Sequence, residues 1–118
     1  MRSSDSVIYK LIAESMWRDA EASGYFSGSS VDARDGFIHF STAAQVAETA
    51  ARHFAGATDL LLVAVRADKL AKADLRWEPS RGGDLFPHLY ADLPMKAVLW
   101  AKPLPLGADG AHVFPALD

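Results

Sequence analysis

The chain contains no cysteine. That excludes disulfides, zinc–cysteine sites and thiol nucleophiles, and it fits a reducing compartment. The chain also lacks a basic excess. Twelve Lys and Arg against fifteen Asp and Glu give a formal charge of −3, which argues against a phosphate-tracking surface and leaves no strong nucleic-acid signal. No apolar run reaches the roughly 20 residues that a membrane-spanning helix needs. The opening "MRSSDSVIYK" has no apolar core of the kind a secretory leader carries. There is no internal repeat, linker or low-complexity segment. The expectation is a soluble cytoplasmic protein with no membrane partner.

Catalytic signatures are also missing. There is no G-x-S-x-G elbow, so Ser-His-Asp hydrolysis has no support. "RGGDLF" matches neither phosphate-loop pattern. His39, His88 and Glu78 are of the right types for a two-histidine, one-carboxylate metal site. None of them has tight spacing such as H-x-x-x-H, and no metal is expected.

What remains is ordinary globular composition: 118 residues, 50% hydrophobic and 23% charged. One domain over residues 1–118 is expected, with residues 1–6 polar and frayed. "VIYKLIA" (Val7–Ala13) reads as a strand, and Glu14–Ser23 as a helix stopped by Gly24. Tyr25–Gly36 reads as a loop. "FIHF" is a short strand. Thr42–Gly56 reads as a helix opened by a capping box between Thr42 and Gln45. Val46, Ala50, His53 and Phe54 then share one face, which makes His53 a packed core residue. Asp59–Arg66 is apolar on both faces and reads as a central strand. Ala67–Ala73 is a turn or one helical turn, Asp74–Ser80 a strand stopped by Pro79, and Arg81–Asp84 a loop. Leu85–Pro94 is extended near Phe86, because a residue before proline avoids the helical region. Met95–Leu106 is a further strand, at an edge after Pro103. Helices fall early and strands late, so the fold class is α+β.

Three stretches could carry chemistry. In "FIHFST" alternation puts Phe37, His39 and Ser41 on one side, and the strand runs into a helix start whose free amides favour an electron-rich group. His39 and Ser41 are therefore either site residues or a satisfied core histidine and a cap. In "RWEPS", Arg76 and Glu78 face away from Leu75 and Trp77. A carboxylate beside apolar surface can have a raised pKa and act as acid or base; the plainer reading pairs Glu78 with Arg76. In "DLFPHLYA", Phe86, His88 and Tyr90 share one face and could hold a ring and its substituents, or form a core strand with two polar tips. His112 carries no signal. Gln45, Thr49 and Arg52 make a polar helical stripe, either solvated or a wall of a site near His39.

"IYKL", "DGFIHFST" with the "TA" and "Q" that follow, "WE" and "FPHLY" together resemble a small bacterial family known as domain of unknown function 952, from about Val7 to Leu104. The resemblance implies the ADP-ribosylation fold, an ADP-ribosyltransferase-like split β-sandwich, here with two main helices in the N-terminal half. Enzymes of that fold hold NAD, or an ADP-ribosylated intermediate, in a cleft between sheets. Many use a histidine on the adenosine ribose, a tyrosine stacked on nicotinamide and a glutamate at the nicotinamide ribose. His39, Tyr90 and Glu78 supply those residue types, in the order His, Glu, Tyr rather than His, Tyr, Glu. The "S-x-S" and "E-x-E" contexts are absent.

The resemblance thus implies a transferase of the ADP-ribosyl-transfer type, or a degenerate relative, with NAD as its possible cofactor. Glu78 and His39 would be catalytic. Ser41, Thr42, Arg52, Phe86, His88 and Tyr90 would line the pocket for a small-molecule or nucleotide-like ligand. Two other functions fit the same residues: a non-catalytic nucleotide or small-ligand binder, and a structural or interaction domain.

Overall fold

The computed structural model describes residues 6–80 and 83–117. Residues 1–5 of the expected frayed start and part of the Arg81–Asp84 loop lie outside the described residues, while Ser6 accepts from the Ala67 amide (2.8 Å). Strand β1 (Val7–Ala13) leads into helix α1 (Glu14–Ser23), which ends at Gly24 in the left-handed conformation with φ 91°. Then come β2 (Tyr25–Phe26), α2 (Ser30–Asp35), β3 (Ile38–His39) and α3 (Val46–His53). Strands β4 (Leu60–Arg66), β5 (Leu75–Pro79), β6 (Leu85–Leu89), β7 (Leu93–Pro94) and β8 (Val98–Pro103) complete the chain, with 3-10 turns at Ala67–Lys69 and Met95–Ala97. The class is α+β with antiparallel sheets, as expected.

Two elements replace part of the loop expected at Tyr25–Gly36. Serines and Gly28 gave that segment its loop character, yet Ser29 caps a helix. The Ser29 hydroxyl accepts from the Asp32 amide (3.4 Å), and the Asp32 carboxylate accepts from the Ser29 amide (2.8 Å). That is a capping box with aspartate in the third position. It adds a third helix to the two expected in the N-terminal half.

The helix expected from Thr42 begins four residues later. Only half of the expected box forms: Gln45 Oε1 accepts from the Thr42 amide (3.0 Å). The Gln45 amide instead donates to the Thr42 carbonyl (3.1 Å), which closes a turn. Gln45 Nε2 donates to the Leu85 carbonyl (2.8 Å) and ties that turn to β6. The helix buries Val46 and Ala50 but leaves His53 exposed, because α3 stops at that residue. His53 is not a core residue.

Sheet order is β1-β4-β8 in one sheet, β3-β6-β5 in a second and β2-β7 in a third, every pairing antiparallel. β4 is central and buried on both faces, and β8 is an edge, both as the sequence predicts. Ile8, Ile12, Leu61, Val63 and Val65 pack on one face of the first sheet, against Trp17, Phe26, Ile38, Phe40 and Leu89. Tyr9, Leu11, Leu60 and Leu62 pack on the other, against Val46, Ala50 and Leu104. Each large apolar side chain buried this way contributes roughly 1.5–3 kcal/mol.

One connection positions the site. Tyr9 of β1 and Ser41, just past β3, exchange both backbone hydrogen bonds (2.8 and 2.9 Å) and tie the first sheet to the second. Beyond that bridge β1 and β3 separate.

Candidate functional site: a split between two sheets

The separation leaves a cleft of about 620 Å³, within the usual range for small-molecule sites. His39, Ser41, Phe86 and His88 line it, as do Thr49 and His53 of α3. Glu78 and Tyr90 stand behind His88 rather than on the cleft wall; Tyr90 borders a smaller cavity of about 190 Å³. Thr42 sits in the turn before α3. Arg52 is exposed and paired with Glu48 along the helix (2.8 Å), away from the cleft lining. The expected Thr42–Gly56 helix carries its arginine at the end remote from His39, which is why the two do not converge.

His39 and His88 are register partners on β3 and β6, with ring centroids 5.5 Å apart. Each is oriented by a carboxylate. His39 Nδ1 lies 2.6 Å from Asp32 Oδ1, and its Nε2 lies 3.0 Å from Asp35 Oδ2. A neutral imidazole has one N–H, so the ring makes both bonds at once only when doubly protonated. His88 Nδ1 lies 2.8 Å from Glu78 Oε1. An ionised carboxylate only accepts, so Nδ1 carries a proton, and in the neutral ring Nε2 carries the lone pair. Among the described residues, Nε2 of His88 has no hydrogen-bond partner. Phe37 stacks on His88 with centroids 4.1 Å apart and also meets His39 and Tyr90.

Asp32 organises the site. Its carboxylate accepts from the Ser29 amide, the His39 amide (3.1 Å), the His39 ring and Lys10 Nζ (3.0 Å to Oδ2). Burial alone would raise its pKa; the hydrogen bond from His39, the Lys10 charge and the Ser29 amide overcome this and hold it well below the usual carboxylate range. Burial pushes the Lys10 ammonium below its ordinary value, and Asp32 opposes that shift. Asp35 is held low chiefly by Arg34.

Glu78 departs from its expected role. Its pKa is lowered, first by the hydrogen bond with His88 and then by that from Tyr90 Oη (2.7 Å). Trp77 points to the other face of β5, so the carboxylate meets donors rather than apolar surface. Among the described residues Glu78 makes no ion pair with Arg76, which lies over Tyr90 instead, so the plain Arg76 pairing also fails. Glu78 in turn raises the Tyr90 phenol. Arg76 lies over the Tyr90 ring at 4.4 Å. Ser41 is buried, and its hydroxyl bonds that of Thr49 (3.1 Å) rather than His39.

Lys10, Asp32 and Asp35 escaped the sequence reading. A lysine inside "VIYKLIA" was the available signal, since a cation in a buried strand needs a buried anion. Ser29 and Asp32 at capping-box spacing marked where that anion stood.

An α+β chain whose antiparallel sheets split around a histidine-lined cleft is the class that fold and site define. Residues 11–101 match the family described as "Protein of unknown function (DUF952)", and the chain belongs to that family. It is similar to protein CC0527 of Caulobacter crescentus. The crystal structure of CC0527 superposes with a TM-score of 0.86 at 48% identity, over 91% of this chain and 93% of that one. The solution NMR structure of CC0527 gives a TM-score of 0.81 at 48% identity, over 90% of each chain. No functionally curated protein matches. Among the described residues no helix is long and apolar enough to cross a membrane.

Proposed function

We propose that the cleft binds a small ligand and that His88 and His39 are its acid–base pair. The observation that carries this reading is the cross-strand pair itself: two histidines on neighbouring strands, each with Nδ1 on a carboxylate, lining one cleft. His88 Nε2 is the proton acceptor. His39, with Nδ1 held by Asp32, is the donor through Nε2 once a ligand takes the place of Asp35 there, and it stabilises negative charge developing on that ligand. Asp32 and Glu78 are positioning residues, fixing ring orientation and tautomer. Ser41 and Phe86 contribute to the walls, which Leu11, Ile12, Met16 and Phe54 make largely apolar.

The test is a titration with small acids, amides, nucleoside phosphates, NAD and ADP-ribose, read by the imidazole resonances of His39 and His88 and by thermal shift. Ligands that act in the cleft move both imidazoles, and His88→Ala weakens them. If every ligand that raises the melting temperature leaves both imidazoles unmoved, the reading fails.

A second reading keeps the ADP-ribosyl-transfer type, with an ADP-ribosyltransferase-like split sandwich and NAD in the cleft. The contiguity of His39, His88, Glu78 and Tyr90 favours it. The Tyr90 ring meets both Arg76 and Phe37, and Phe86 lines the cleft beside His88. Nicotinamide release from NAD that Glu78→Gln abolishes would select this second reading. Binding of NAD without release would select a non-catalytic nucleotide-binding domain.

A further inference from the structure

The backbone of β1 also faces the cleft. In an antiparallel ladder the N–H and C=O of one residue point to the same side, and successive residues alternate. Tyr9 directs both groups away from β4, to Ser41. The β1–β4 register runs without interruption from Val7↔Arg66 to Ala13↔Leu60. Leu11 and Ala13 therefore point their N–H groups, and Leu11 its C=O, the same way as Tyr9. Both residues line the cleft.

The register set by Tyr9 and Ser41 would next pair Leu11 with His39. That pair does not form, because the His39 N–H donates to Asp32 Oδ1 instead (3.1 Å). The buried carboxylate stands where the strands would have met. Leu11, only 6% exposed, keeps an N–H and a C=O with no partner among the described residues; the N–H of Ala13, an exposed residue, has none there either. Backbone groups as buried as those of Leu11 are nearly always paired.

We infer that this edge recognises an amide or imide edge on the ligand, as in a primary carboxamide, a lactam or a nucleobase. The ligand carbonyl accepts from the Leu11 N–H, the ligand N–H donates to the Leu11 carbonyl, and a second ligand acceptor meets the Ala13 N–H. A partner strand is not the occupant. Ser41 closes the edge at Tyr9 and α1 begins at Glu14, so the open stretch is too short for a strand to pair along. The inference rests on the cleft being a ligand site and names the chemistry that the site reads.

The experiment uses the whole chain and three probes: phenylacetamide, 1-methyluracil and methyl phenylacetate, the last being acceptor-only. Backbone amide resonances and hydrogen exchange of Leu11 and Ala13 are followed. One or both amide probes should slow exchange at Leu11 and bind about five- to tenfold more tightly than the ester, as one further hydrogen bond predicts. Which probe binds more tightly separates a carboxamide ligand from a nucleobase. Ala13 already has φ −63° and an exposed side chain, so Ala13→Pro deletes that N–H without straining the backbone. It should weaken 1-methyluracil by a similar factor and leave the melting temperature intact. Equal binding of ester and amides, or no binding of either amide, overturns the inference. If a probe moves the His39 and His88 imidazoles but leaves Leu11 exchange unchanged, the inference falls and the acid–base cleft stands. If other ligands also fail to move those imidazoles, the cleft reading falls as well.

Discussion

His39 and His88 face each other across the β3–β6 ladder, 5.5 Å between ring centroids, and each has a carboxylate on Nδ1. The two carboxylates arrive from different places. Asp32 comes from α2, outside the sheet, while Glu78 comes from β5, the next strand within it. The pair is therefore held from both sides, and each support can be removed separately.

Removing Glu78 should release the His88 tautomer. With the carboxylate on Nδ1, nitrogen-15 spectra of the neutral ring should show the proton on Nδ1. In Glu78→Ala that preference should weaken roughly tenfold. An unchanged tautomer would mean that Glu78 does not position the ring. Because the Glu78 pKa is lowered, its own titration should lie below the ordinary glutamate range. Any stability it lends is present above that range and is lost as pH falls through the folded value.

Lys10→Met should cost about 3 kcal/mol at neutral pH, because it strips the cation from a buried carboxylate. The pH dependence has two limbs of known sign. Asp32 has a depressed folded pKa, so its contribution holds above the ordinary carboxylate range and fades as pH falls toward the folded value. Lys10 is also depressed, which for a cation means destabilisation while charged; stability should rise as pH climbs from its folded value to its ordinary one. Urea melts across pH check both. The acid limb should shrink in Asp32→Asn and the alkaline limb in Lys10→Met.

How far the sequence reached depends on whether a feature is local. Alternation within one strand put Phe37, His39 and Ser41 together, and Arg76 with Glu78, and both groupings hold in the folded chain. β4 was legible as a central strand because only burial on both faces explains "LLLVAV". Asp32 was not legible as the hub of the site. Its partner Lys10 is 22 residues away in sequence, and its helix was hidden by serine and glycine. Arg52 was overread for the opposite reason: a helical stripe gives direction around an axis, not position along it.

Gly28→Ala should destabilise by about 1–3 kcal/mol. The glycine has φ 112°, and an added Cβ would stand 2.9 Å from the Asp32 Cβ. The clash bears on the hub, so the His39 imidazole resonance should move with the melting temperature. A stable variant with an unmoved His39 would separate the loop from the site.

Arg52→Ala should change stability by no more than ~0.5 kcal/mol, as expected for an exposed pair along a helix. Ligand titrations of the cleft should be unaffected. A binding loss would return Arg52 to the site.

The bridge between Tyr9 and Ser41 is made of main-chain atoms, and so is the edge it leaves open at Leu11. Every residue type but proline presents the same donor and acceptor there. Mutation can reshape the walls of the cleft and retune its histidines while this edge stays the same. The main chain would thus fix what kind of group enters, and the side chains would decide which molecule bears it.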